Sequence, residues 1–338
     1  MATIEDVARF AGLSRTTVSR VINDQPYVSE EKRSRVEDAM KALGYVPNSS
    51  ARRLRSQKTE TIAVLLPRIT NPFFNHLIES MEMKASEWGY QVIICQTHDS
   101  PQKERDYLEL LRKKQVDGII LTSIQNEWEV IEGYLQSGPI VLCNENVEEA
   151  QVPVVHVDQA KAAYEATVHL IEQGASEIAF LHGGEDSYVF RHRERGFLKA
   201  LHERRLPRLE AEVFSSAVDV ESGRALFHQI RNNYPSINGV FAGSDEVAAG
   251  FIYEAVQAGV KVPEEISVVG FDNQAISMLM KPSITTVEQP VQDMGERCVE
   301  LLIHQVENGY SLKREEHVFK HRLQARASTT RQSKLVTL

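Results

Sequence analysis

The run Ser14-Arg-Thr-Thr-Val-Ser-Arg-Val-Ile-Asn23 holds the residues best placed to do chemistry. Wound as a helix from residue 15, it sets Arg15, Thr16 and Ser19 near one polar face and turns Val18, Val21 and Ile22 inward. Guanidinium and hydroxyl groups at the N-terminal end of such a helix can hydrogen-bond base edges in a DNA major groove. Thr17, Arg20 and Asn23 suit phosphate contacts, which fix register without reading sequence. Enzyme chemistry finds no comparable pattern. The sequence holds no GxxxxGK[ST] loop, no GxGxxG after a strand, no GxSxG elbow and no HExxH helix, so no catalytic residue, cofactor or metal is expected. Gly183-Gly184 reads as a turn at a strand end.

The elements around that run agree with it. Thr3 caps a helix through Val7 and Ala8, with Glu5 and Asp6 in its first turn. Ala11-Gly12-Leu13 forms a tight break in which Gly12 can take a positive φ. Ser14 caps the second helix, and Ser29 caps a third that ends near Gly44. Val7, Ala8, Leu13, Val18, Val21, Val36, Met40 and Leu43 recur at helical spacing and make one small core. Two short helices joined by a glycine-containing turn define a helix-turn-helix. Residues 46–58 are polar, basic and too short for a stable isolated helix, so they read as a linker that orders on a partner.

From Thr61 onward apolar runs alternate with amphipathic stretches. Ile62–Leu66, Val92–Cys95, Gly118–Leu121 and Ile140–Cys143 form one series; Val154–Val157, Ile178–Leu181, Gly239–Ala242 and Ile266–Val269 form another. Continuous apolar strands between helices predict parallel sheets covered on both faces. The fold class is therefore α/β: a three-helix head, then two doubly wound lobes with ligands at the carboxyl ends of the strands.

Net charge is −9, yet it is unevenly spread: residues 1–60 carry 11 Lys and Arg against 8 Asp and Glu, and the other 278 carry 27 against 39. A basic head on an acidic body suits nucleic acid at one end. Cys95, Cys143 and Cys298 are too sparse and scattered for a disulfide framework or zinc site. The opening Met-Ala-Thr-Ile-Glu-Asp-Val lacks an export signal, and no window reaches the roughly 18 apolar residues of a membrane span. The expected location is the cytoplasm. A solute-binding protein would carry an export signal and no DNA-reading head.

Thr3-Ile-Glu-Asp-Val-Ala8, Ala11-Gly-Leu-Ser14, Thr17-Val-Ser-Arg-Val-Ile-Asn23, Val28-Ser29 and Gly44-Tyr-Val-Pro-Asn48 stand in the order of the LacI/GalR repressor family, which this sequence resembles closely. The likeness continues through Asn71-Pro-Phe-Phe74, Val116-Asp-Gly-Ile-Ile120, Ser244-Asp-Glu-Val-Ala-Ala-Gly250, Val269-Gly-Phe-Asp272 and Ile284-Thr-Thr-Val-Glu-Gln289, covering residues 2 to about 325. It implies a body like the type I periplasmic sugar-binding proteins, with three chain crossings between the lobes. It also implies a transcriptional repressor, a homodimer on a pseudo-palindromic operator, and a role in carbohydrate metabolism. The same head would serve an activator.

Arg15 and Thr16 fall where the family chooses its operator, within a DNA-contacting set of Thr3, Ser14, Thr17, Ser19, Arg20, Asn23, Val28 and Asn48. Asn48-Ser-Ser-Ala-Arg-Arg-Leu54 matches the family's minor-groove hinge helix. By that match Leu54 wedges between base pairs, Ala51 lets paired hinges approach, and Arg52 and Arg55 face phosphates. In the body, Arg193, Asp272 and Gln289 match residues that hold effector hydroxyls, Phe73 lies at the pocket mouth, and Ser244 replaces a pocket asparagine.

Pro26-Tyr-Val-Ser-Glu-Glu-Lys32 and Tyr107-Leu-Glu-Leu-Leu111 are similar to the catabolite control proteins of Gram-positive bacteria, which take a serine-phosphorylated phosphocarrier protein as corepressor. That branch's arginine is Lys281 here, which keeps the charge without the bidentate fork. Sugar, phosphosugar and phosphoprotein all stay open as effectors. The expected division is a DNA-binding domain over 1–45, a hinge helix and linker over 46–60, an effector-binding and dimerisation domain over 61–325, and a polar tail over 326–338. Within the third, an N-lobe takes about 61–160 plus 290–325 and a C-lobe about 161–289. The tail has no apolar heptads, so a dimer is expected over a tetramer.

Overall fold

The computed structural model describes residues 2–23, 25–46, 58–184, 187–206 and 213–330. The chain divides into two compact units, Met1–Lys58 and Thr59–Leu338.

In the first unit the helices start where capping chemistry puts them. Helix α1, Ile4–Ala11, opens on a capping box: the Asp6 amide donates to Thr3 Oγ1 at 3.2 Å and the Thr3 amide donates to Asp6 Oδ2 at 2.9 Å. It ends on Gly12 at φ +63, where an added Cβ would meet the Arg35 guanidinium at 2.9 Å. Arg35 itself donates to the Ala11 carbonyl at 2.6 Å, tying α3 (Glu30–Leu43) to the end of α1. Helix α2 runs Arg15–Ile22. Ser29 occupies the position before α3 but makes no side-chain capping bond, and α3 stops at Gly44 with φ +57. The shared core is Val7, Ala8, Ala11, Val18, Val21, Val36 and Ala39; Leu13, Met40 and Leu43 pack at its rim.

The second unit holds two six-stranded sheets. The first, ordered β11-β5-β4-β3-β1-β2, is parallel throughout and consists of β1 (Thr61–Leu66), β2 (Gln91–Gln96), β3 (Gly118–Leu121), β4 (Ile140–Cys143), β5 (Pro153–Val157) and β11 (Glu315–Phe319). Strand alternation assigns its faces. Ile62, Val64 and Leu66 pack under α4 (Pro72–Glu87) and α12 (Val291–Asn308), while Ala63 and Leu65 pack under α5 (Pro101–Arg112) and α6 (Trp128–Glu132). Every residue of β1, β3, β4 and β5 is buried, the burial that makes them read as unbroken apolar runs.

The second sheet is ordered β12-β10-β9-β8-β6-β7, from β6 (Ile178–Leu181), β7 (Val213–Phe214), β8 (Gly239–Ala242), β9 (Ser267–Phe271), β10 (Thr285–Glu288) and β12 (Arg322–Gln324). Helices α7 (Gln159–Glu172) and α8 (Tyr188–Glu203) cover one face; α9 (Val220–Asn233) and α10 (Asp245–Gln257) cover the other. A short helix, α11 (Ala275–Leu279), follows β9. The chain passes between the sheets three times: from β5 into α7, from β10 into α12, and from β11 into β12.

Two boundaries differ from the sequence expectation. Strand β12, placed with 290–325 in the first lobe, pairs antiparallel with β10 in the second. The polar tail expected from residue 326 is packed instead: Ser328 and Thr329 are fully buried, and the Thr285 amide donates to Ser328 Oγ at 2.8 Å, which in turn donates to the Val268 carbonyl at 2.6 Å. These side chains read as polar in sequence because their partners lie some 40 to 60 residues away. Residues 331–338 lie outside the described residues. Among the described residues no helix is long and apolar enough to cross a membrane.

Candidate functional site

In the head, Ser14 accepts from the Thr17 amide at 3.1 Å, starting α2 at Arg15 and leaving Arg15 and Thr16 exposed at its N-terminal end. Arg20 is exposed beside the half-buried Ser19 and Thr17. Thr3 and Ser14 are themselves exposed, but their side chains are engaged as caps. The Asn23 side-chain amide donates to the Ser19 carbonyl at 2.5 Å at the end of α2. Val28 packs at the rim of the core. Tyr27, not among the residues assigned to DNA, is 99% exposed in the loop between α2 and α3. The hinge residues Asn48, Ala51, Arg52, Leu54 and Arg55 lie outside the described residues. Ser14→Ala should cost α2 about 1 kcal/mol, read as roughly fivefold faster amide exchange across α2 with α4 unchanged; unchanged exchange in α2 would show that the cap contributes nothing.

Within the second unit a cavity of about 480 Å³ opens between the lobes, a size that suits a small hydroxylated ligand. Its lining follows from topology, because side chains just beyond the carboxyl ends of both sheets converge there. Arg68, Thr122, Asn144 and Glu145 follow strands of the first sheet; Gly183, Ser244, Asp272 and Gln289 follow strands of the second. Phe73, near the start of α4, lies at the wall and is buried. All five residues that sequence assigned to the effector, Phe73, Arg193, Ser244, Asp272 and Gln289, line this cavity.

A hydrogen-bonded chain joins three of them, Arg193, Gln289 and Asp272, through Gln159. Arg193 Nε donates to Gln159 Oε1 at 2.8 Å and Nη1 donates to the Gly243 carbonyl at 2.8 Å; the guanidinium carbon lies 3.5 Å from the Phe271 ring centre. Gln159 Nε2 donates to Asn144 Oδ1 at 2.6 Å and to Gln289 Oε1 at 3.1 Å, and Gln289 Nε2 donates to Asp272 Oδ1 at 2.7 Å. Asn144 belongs to the first lobe and Asp272 to the second, so the chain runs through two of the three crossings, at Gln159 and Gln289. Ser244 Oγ accepts the Val247 amide at 3.3 Å, so it caps α10 while facing the cavity.

Burial pushes the Arg193 guanidinium down to about 10, against the opposing charges of Asp272 and Glu145, so it stays protonated at neutral pH. Burial likewise raises Asp272, Glu145 and Glu246 from their ordinary values, Glu145 to about 8. Rigid charged and amide groups around a cavity bind hydroxyls directionally. Sequence reasoning missed Gln159, Asn144, Glu145 and Glu246. Asn144 and Glu145 stand directly after an apolar strand, which was the available signal; nothing local marks Gln159.

A helix-turn-helix head joined to a two-lobed ligand-binding body defines a ligand-responsive DNA-binding regulator. Residues 3–48 match bacterial regulatory proteins of the lacI family, and residues 59–328 match the periplasmic binding proteins and sugar binding domain of the LacI family. This chain belongs to the LacI family of transcriptional regulators and is not an enzyme. It is 41% identical over 314 residues to the NTD biosynthesis operon regulator NtdR of Bacillus subtilis, covering 93% of this chain and 95% of that one. It is 38% identical to the ribose operon repressor of Halalkalibacterium halodurans, covering 91% of each. Among solved structures, the transcriptional regulator CelR–cellobiose complex superposes with a TM-score of 0.73 at 28% identity, over 97% of this chain and 100% of that one.

Proposed function

We propose that this chain is a cytoplasmic repressor that binds a pseudo-palindromic operator as a homodimer and is regulated by a carbohydrate in the interlobe cleft. The observation that carries the reading is the Arg193–Gln159–Gln289–Asp272 chain, whose Arg193, Gln289 and Asp272 line the cavity and which runs through two of the three crossings. A ligand that replaces or reinforces those bonds favours one lobe arrangement over another, and only such a differential contact shifts an equilibrium. The names of similar proteins, a ribose operon repressor and a cellobiose complex, support a carbohydrate. In this reading residues 1–45 read DNA, the segment over 46–60 carries the coupling with Leu54 as its wedge, and the body to about residue 330 senses and dimerises. Arg193 commits two of its five N–H donors, on Nε and Nη1, to the protein, and the others serve a hydroxyl or a phosphate oxygen alike. A phosphocarrier corepressor would meet exposed Lys281 as a point charge.

Selection from random duplex DNA at fixed salt tests this, run with and without a serine-phosphorylated phosphocarrier protein. A symmetric enriched site supports the repressor reading; no enrichment in either arm overturns it. Substituting Arg15 or Thr16 should then change the selected bases by on the order of 1–3 kcal/mol per base pair. An unaltered consensus would move the readout elsewhere, with Tyr27 first in line.

A further inference from the structure

An ion pair crosses the exposed end of the head that carries Arg15. Glu5, in the first turn of α1, accepts from Arg15 Nη1 at 3.4 Å, ten residues away beyond the Gly12 turn. The two side chains are 67% and 69% exposed, and among the described residues neither has another bonded partner. The neighbouring carboxylate is engaged elsewhere: Asp6 closes the capping box with Thr3 and holds Arg9 at 3.0 Å. The backbone beneath the pair is fixed, because Val7 and Val18 are fully buried in the shared core and Arg35 ties the Ala11 carbonyl. An ion pair this exposed contributes little to stability in water. An acid in the first turn also complements the dipole of α1, a role that Asp6 shares.

We propose that Glu5 is a positioning residue for base reading: its carboxylate holds the Arg15 guanidinium so that the unbonded edge selects guanine. This rests on the reading of residues 1–45 as the DNA-binding head. The bond to Glu5 uses Nη1, which leaves the donors on Nε and Nη2. Two donors side by side match O6 and N7 of guanine, whereas adenine sets an N6 donor against one of them. A long arginine side chain without a partner reaches phosphates as readily as bases. Ordering it beforehand on Glu5 removes part of the entropy cost of binding in one geometry. Exclusion of water from the groove then strengthens the pair, because the same charges interact in a lower dielectric.

The charge balance gives a signature that damage to the fold does not imitate. Glu5 sets one negative charge beside the phosphates, so Glu5→Gln should leave affinity for random duplex DNA equal or higher while discrimination among bases falls. Weakening α1 would lower both together. A second signature is coupling. If Glu5 acts only through Arg15, its substitution changes nothing once the guanidinium is gone, so the two variants are not additive.

The test is the same two-armed selection from random duplex DNA, run on the full-length protein unaltered and as Glu5→Gln, Arg15→Ala and the double variant, with affinity for random duplex measured beside it. The base pair read by Arg15 is the one whose preference Arg15→Ala removes. The proposal expects guanine there, with selectivity for it falling about tenfold in E5Q. It also expects no further fall when E5Q is added to Arg15→Ala, and random-duplex affinity no lower than that of the unaltered protein. Guanine selectivity within about twofold of the unaltered protein in E5Q overturns the proposal and leaves the DNA-reading head standing. A base other than guanine at that pair does the same. So does a change at a different base pair, which would make Glu5 a reader in its own right. A joint fall in selectivity and random-duplex affinity would make Glu5 a structural residue of α1 and also overturns it. No enriched site in either arm with the unaltered protein overturns both readings.

Discussion

Arg193→Ala should abolish the response to effector, lowering carbohydrate affinity about a hundredfold or more while operator binding without effector persists. The side chain is 4% exposed, and it reaches Gln159 Oε1 and the Gly243 carbonyl with its fork while lying flat on Phe271. Hydrogen bonds to a charged group contribute about 1.5–3 kcal/mol each, so losing the positioned guanidinium removes on the order of 3 kcal/mol from the site. At about 1.4 kcal/mol per decade that is roughly two decades in Kd. Truncation also leaves a buried amide oxygen and a buried carbonyl unpaired, which should lower the melting temperature of the body. Arg193→Lys separates the two effects. Lysine keeps the charge but cannot serve Gln159 and Gly243 together from one planar group, so it should recover stability more than affinity. The measurement is calorimetric titration with a panel of mono- and disaccharides, beside operator release. A Kd within about threefold of the unaltered protein would reduce Arg193 to a prop between hinge crossings.

The largest effect on the fold should come from Gly250→Ala. Helices α9 and α10 touch through a reciprocal pair of glycines: a Cβ on Gly250 would lie 2.0 Å from the Val220 carbonyl oxygen, and one on Gly223 would lie 2.2 Å from the Val247 carbonyl oxygen. Gly196 of α8 meets the Ala160 carbonyl oxygen of α7 in the same way, at 1.9 Å. Each obstacle is backbone, which cannot swing aside, so the added methyl must push two helices apart across a fully buried face. Overpacking a close-packed core costs typically 1–3 kcal/mol, and a backbone clash belongs at or beyond the top of that range. A drop in Tm on the order of 6–12 °C follows for a body of this size. Gly184→Ala is the control, since among the described residues no atom beyond its chain neighbours lies within 4 Å of its added Cβ. Thermal unfolding of both variants decides it; a Gly250→Ala protein melting beside the control would mean that the helices separate at little cost.

The parts of this molecule that sequence made legible are those settled by neighbours along the chain. Thr3 and Asp6, Ser14 and Thr17, and Asn71 with Phe73 each close a cap within three residues, so the helix starts follow from residue type and spacing alone. Strands buried on both faces announce themselves as apolar runs, which is why the sheet interiors and the α/β class were readable. The five residues assigned to an effector came from resemblance and line one cavity, three of them just beyond strand ends and Phe73 and Arg193 on helices.

What tertiary structure decided was set by groups far apart in sequence. Edge strands β11 and β12 each face solvent on one side, so Glu315-Glu-His-Val-Phe319 looks like loop until it pairs with β5. Ser328 reads as tail until Val268 and Thr285 bond it, at separations of 60 and 43 residues. Gln159 lies 130 residues from Gln289 and 34 from Arg193. Caps and periodicity are fixed within about one turn of chain, so the sequence determined where the elements are and which faces they bury. Which polar groups meet in the cleft depended on the sheets bringing distant strand ends to one place.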